Sequence, residues 1–252
     1  VISIRTQGFT ELARELQDMS KQVNFASAVA VTRTAFLARQ GIYREMEAVF
    51  DRPTPYTMRS LYSTRATPTS QQAEVSFKDF AGKGTRAKQY LGPEVYGGPR
   101  EAKRFEIALR NADVTSFEQR RMPSDKFALP SKYMRLDQYG NAPRGLITQI
   151  LSRLRATSPD VTQRRSGSAR STRKRIREDY FVGRPGEGRL PFGIYQRATF
   201  GFGSSVRPVF LFGKQPIYRK RLRFFEVAEG IADQELTRQF SIAFDEAMRT
   251  AR

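Results

Sequence analysis

Phe25-Ala26-Ser27-Ala28-Val29-Ala30-Val31-Thr32-Arg33-Thr34-Ala35-Phe36-Leu37-Ala38 is the stretch that decides the fold. Phe25, Val29, Thr32 and Phe36 recur at the helical period, and Tyr43, Met46 and Phe50 continue it. Upstream, Thr10 offers an N-cap, and Leu12, Leu16 and Met19 follow at spacings of four and three. The spacing therefore predicts helix from Phe9 to Phe50, with Asn24 marking either a break between two helices or a kink. Pro53 ends it, because proline biases its predecessor away from helical geometry. Ala26, Ala28, Ala30, Ala35 and Ala38 occupy the other face. They would let another helix or subunit approach closely, and they are equally what any good helix is made of.

Beyond Pro55 the period changes. Ser60 to Arg65 and Ala73 to Phe77 are β-prone and flank Thr67-Pro68-Thr69-Ser70, which predicts a hairpin. A short helix is expected at Ala102–Arg110 and a compact one after Gly145, with Leu146, Ile147, Ile150, Leu151 and Leu154 on its apolar side. Asp179–Val182 and Gly193–Tyr195 read as strands. Val206–Phe212 is a further strand, which Pro208 argues to be at an edge. Phe225, Ala228, Ala232, Leu236, Phe240, Ala243 and Ala247 predict a long terminal helix. The expected class is α+β: a small antiparallel sheet flanked by long N- and C-terminal helices, with an irregular basic insertion in the middle. We expect a single domain over 1–252, its core drawn from 1–78 and 205–252, with 79–204 inserted. Leu16, Phe36, Phe50, Leu211, Phe212, Leu236 and Phe240 are the expected shared core.

The chain has 252 residues, no Cys, His or Trp, and a formal charge of +19. Without Cys or His there is no disulfide framework, no thiolate nucleophile, no imidazole base, and no Cys- or His-ligated metal site. Thirty-four of the 44 basic residues are arginine, whose planar fork suits phosphate and carboxylate. A chain this basic meets a polyanion, an acidic protein surface, or both. The charges concentrate in one run: Arg164, Arg165, Arg170, Arg173, Lys174, Arg175 and Arg177 stand between Val161 and Arg177 with no acidic residue. Such a run, with few apolar groups, predicts a mobile loop over 156–179. Arg219, Lys220, Arg221 and Arg223 form a second cluster, interleaved with Tyr218, Phe224 and Phe225. Both clusters are candidate polyanion- or partner-binding residues. Such aromatic–basic mixtures can stack on bases, and Arg197 to Phe202 is another, although Phe224 and Phe225 suit a core position equally well.

No catalytic, cofactor-binding or metal residue is expected. Gly82-Lys83-Gly84-Thr85 lacks the spacing of a phosphate loop, and Gly183–Gly188 reads as a turn. Glu178-Asp179 is the one suggestive carboxylate pair for a metal-dependent nuclease, but neighbours on a strand point to opposite faces. No window approaches a membrane span. Val1-Ile2-Ser3-Ile4-Arg5 lacks the charged-then-apolar pattern of an export signal, so a cytoplasmic site of synthesis is expected.

Several strings resemble one family. Ala28-Val29-Ala30-Val31-Thr32-Arg33-Thr34-Ala35 is similar to the A-L-N-x-T-A stretch of bacteriophage minor tail protein Z, the tail completion family of long-tailed phages. Arg52-Pro53-Thr54-Pro55-Tyr56-Thr57-Met58-Arg59-Ser60-Leu61 looks like the segment that follows this helix in such proteins. Tyr96-Gly97-Gly98-Pro99-Arg100 with Lys103-Arg104-Phe105-Glu106, Leu136–Asn141 and Leu190–Arg197 resemble prophage relatives. The resemblance implies an α+β virion protein at the head-proximal end of the tail. It implies a homo-oligomeric ring, a hexamer being one option, in contact with other tail and head–tail connector proteins. It implies no cofactor and no catalytic residue. Genomic DNA in the channel is a further partner such a ring would meet. The alternative from the residues themselves is a sequence-independent nucleic-acid-binding protein acting outside the tail.

Overall fold

The computed structural model describes residues 7–80, 85–112, 121–154, 178–186, 189–200 and 203–250, with backbone alone at 7–18, 178–179 and 199–200. The class is α+β, with long helices at both ends and small antiparallel sheets between them. The chain divides into two compact units, Val1–Phe80 with Lys220–Arg252, and Ala81–Arg219. The strand that the sequence groups with the terminal core, Val206–Phe212, belongs to the second unit.

In the first unit, α1 (Gln7–Val49) runs through Asn24 without a break, and α2 (Pro55–Met58) follows, capped by Thr54 through its hydroxyl. β1 (Leu61–Ser63) and β2 (Val75–Phe77) pair antiparallel, as the hairpin pattern predicts. The terminal helix spans Phe224–Thr250 and is α6 here. It packs along α1, and Ala26 meets Ala243 and Ala247 in a buried cluster, against which Val29, Phe240 and Phe244 rest. The approach is close enough that a Cβ on Gly41 would stand 2.2 Å from Ile231 Cδ1.

The choice of core face on α1 needs correction. Ala26, Ala28, Ala30, Ala35, Ala38, Ile42 and Met46 are buried, whereas Phe36 is 43% exposed, and Leu236 of α6 is 42% exposed. Helix axes come nearest where the contact side chains are smallest, so the alanines take the interface; of the larger stripe Phe25, Phe36 and Tyr43 are left exposed, while Met46 is buried and Val29 rests on the alanine cluster. Phe50 and Phe240 are half-buried, and the Leu16 side chain lies outside the described residues. Phe224 is buried against Phe77, ring centroids 5.2 Å apart, while Phe225 is exposed.

In the second unit, α3 (Ala87–Tyr96) carries Pro93 inside it, a helix that periodicity does not announce. β3 (Gly98–Pro99) pairs with β8 (Ile217–Tyr218), and α4 (Arg104–Arg110) precedes β4 (Phe127–Pro130). Then come α5 (Arg144–Arg153), β5 (Glu178–Gly183), β6 (Gly193–Phe200) and β7 (Gly203–Gly213). The antiparallel sheet has the order β4-β7-β6-β5. Its core gathers Leu109, Ile150 and Leu154 from α4, α5 and the end of α5 with Tyr180, Val182, Ile194, Val209 and Phe210 from the strands. Leu211 and Phe212, expected in the core, are half-buried; Val209 and Phe210 take those places. β7 lies between β4 and β6, but β4 pairs with it only from Phe210 to Gly213, so Pro208 stands past the end of β4 on a stretch laddered on one side only. It stands opposite Tyr195, where β6 carries a register shift, so the ladder is already irregular where proline has no N–H to donate.

Candidate polyanion and partner interface

The seven basic residues from Arg164 to Arg177 lie outside the described residues, while Glu178 and Asp179 open β5. Among the described residues no three carboxylates gather in a metal-holding group. Lys83 and its glycines also fall outside, and Pro185-Gly186 forms a turn, with Gly186 at φ 67°.

The second cluster is described, and its members have separate tasks. Arg223 donates twice to Glu45 of α1, at 2.8 and 3.1 Å. Hydrogen bonding from Arg223 is the main cause holding the Glu45 carboxyl below its ordinary value, and the same contact raises Arg223. Lys220 pairs with Glu226 of the first turn of α6, and the hydrogen bond lowers that carboxyl as well. Arg221 lies over the Phe50 ring, 5.8 Å from its centroid. Arg219 is exposed. Lys220, Arg221 and Arg223 thus fasten the start of α6 to its surroundings. Replacing Arg223 with glutamine should let Glu45 titrate back toward the usual carboxylate range. A pH titration of its carboxyl carbon by NMR reads this, and an unchanged midpoint would contradict the pairing.

A different set of cations converges without being adjacent in sequence. The outward side of α1, the end of α2 and the β1–β2 hairpin enclose an open groove of about 680 Å³. Arg39, Arg44, Arg59 and Lys78 line it together with Tyr43 and Tyr62, against one carboxylate, Glu47. Among the described residues, Arg44, Arg59 and Lys78 have no carboxylate within ion-pair distance, and Arg39 lies over Phe36 at 4.9 Å. A smaller recess beside it shares Arg59 and Lys78 and adds Tyr56 and Phe80. Phe80 is 85% exposed. A scan of charge runs misses this groove, because each element contributes one or two cations. Recognising it required knowing which face of α1 is turned outward.

The second unit holds a polar centre that the sequence also conceals. Arg100 and Glu106, both buried, meet as a bidentate pair at 2.6 and 2.7 Å. Glu106 further accepts from the Lys103 N–H at 2.7 Å, capping α4, and from the Ala128 N–H at 2.9 Å, holding β4. The Arg100 guanidinium lies 4.9 Å from the centroid of the Phe127 ring. Burial pushes the Glu106 carboxyl up, but the Arg100 fork and the two backbone donors outweigh it and leave it below the ordinary range. With all its partners satisfied, this pair is architectural.

No family model, curated protein or solved structure matches the chain.

Proposed function

We propose that the chain is a structural virion protein of a long-tailed bacteriophage, a tail completion or terminator-type subunit that forms a ring at the head–tail joint and closes the tail tube. The observation that carries an assembly role is the number of large apolar side chains that the two long helices leave exposed. Met19, Val23, Phe25 and Phe36 of α1 and Leu236, Ile242 and Met248 of α6 are all exposed. Single exposed apolar residues are ordinary, but seven large ones on two packed helices are many for a chain that stays alone, and contact with neighbouring subunits would cover them. The link to the tail rests on the sequence resemblance of the first helix, the Arg52–Leu61 segment and the later strings. The arginine excess suits a ring around a genome channel or acidic neighbouring subunits. In this reading the protein acts in the virion, at the head-proximal end of the tail, after assembly in the host cytoplasm, and carries out no catalysis.

The second reading, a nucleic-acid-binding protein acting outside the tail, is favoured by the +19 charge. Size separates the two. A ring subunit is expected to run at several times 28.8 kDa, alone or with its tail partners. Replacing Phe36 and Leu236 together with aspartate should return it to monomer while leaving the chain folded, because both side chains are substantially exposed in the single chain. A wild-type chain that stays monomeric with its tail partners would favour the second reading.

A further inference from the structure

We propose that the groove between α1, α2 and the β1–β2 hairpin is a binding site for single-stranded nucleic acid, with phosphates on Arg44, Arg59 and Lys78 and unpaired bases against Tyr43 and Phe80. The inference goes beyond the assembly role and holds for a ring subunit or a monomer.

The argument starts from charge. Among the described residues, three cations without a carboxylate partner and a fourth, Arg39, share one concave surface with a single acidic residue, Glu47. Like charges held together repel one another, and a chain of phosphates relieves that repulsion while releasing its own counterions. The groove then offers something a phosphate alone does not use. Tyr43 is 40% exposed and Phe80 85% exposed, both beside the same cations. An aromatic face in water next to a backbone-tracking cation is the arrangement on which successive bases stack. A duplex keeps its bases stacked inside, so it would satisfy the cations and leave the rings bare. An acidic peptide would do the same. The combination therefore selects a strand with free bases, and stacking, which every base can supply, implies little sequence preference.

The test uses the full chain, a fluorescent 12-nucleotide oligo-dT, and anisotropy at several salt concentrations. Arg59→Ser with Lys78→Ser should weaken binding at least tenfold. It should also flatten the salt slope by about 1.4, two single-strand phosphate contacts at about 0.7 each. Arg173→Ser with Arg175→Ser removes the same charge from the basic run and should cost clearly less. Tyr43→Leu with Phe80→Leu, which keeps apolar bulk and removes the rings, should weaken oligo-dT about tenfold and leave binding of inorganic polyphosphate unchanged. Cross-linking of an iodouracil-substituted oligonucleotide to the wild-type chain needs no variant, and should label Tyr43, Tyr62 or Phe80. Equal losses from the two charge variants would overturn the proposal in favour of diffuse attraction. An oligoglutamate peptide that displaces oligo-dT as well as oligo-dT displaces itself, with no effect of the ring variants, would assign the groove to an acidic protein instead. Neither result bears on whether the chain forms a ring.

Discussion

Glu106→Ala is expected to destabilise the second unit by about 3–5 kcal/mol, because it leaves the Arg100 guanidinium buried without its counter-charge. It also removes the acceptor for the Lys103 and Ala128 N–H groups, so the start of α4 and the start of β4 loosen together. Urea unfolding measures the loss, and hydrogen exchange at Ala128 locates it. A loss under about 1 kcal/mol would mean that the pair is not holding these elements. The same carboxyl gives the unit a pH dependence of defined sign. Its pKa in the folded protein is lowered, so its contribution is fully present above the ordinary carboxylate value and is lost as pH falls through the folded value. Acid should therefore destabilise the wild-type unit in that window, and the variant should lack this part of the acid sensitivity.

The second large effect is a contrast on one helix. Ile42→Ala should cost about 2–5 kcal/mol, since Ile42 is fully buried and its surroundings would relax only partly into the cavity left. Phe36→Ala, which removes a larger side chain six residues away, should cost about 1 kcal/mol or less. Thermal unfolding of the two variants in parallel decides the matter. The reverse order would restore the aromatic stripe as the core face.

That contrast shows where the sequence was legible and where it was not. Helical period, hairpin turn and strand composition are local properties. They located α1, the β1–β2 pair, α4, α5, the strands around Tyr180, Ile194 and Val209, and α6. Which face of α1 is buried is not local. It depends on the partner helix bringing Ala243, Ala247 and Ile231 close, and small residues carry no hydropathy signal strong enough to outrank Phe25 and Phe36. α3 escaped notice because Pro93 interrupts its pattern. The cluster 219–223 was visible as a charge run, yet Glu45, which holds Arg223, is 178 residues away in the chain. The groove cations and the Arg100–Glu106 pair became visible only when the fold brought their elements together.

The central proposal is a place in a particle, and cryo-electron microscopy of phage particles purified from cells that make this chain tests it most directly. The account predicts a closed ring of copies of this chain at the head-proximal end of the tail tube, with the exposed apolar side chains of α1 and α6 covered by neighbouring subunits. Absence of the chain from purified particles, or its presence away from the joint as isolated copies with those side chains in solvent, would contradict it.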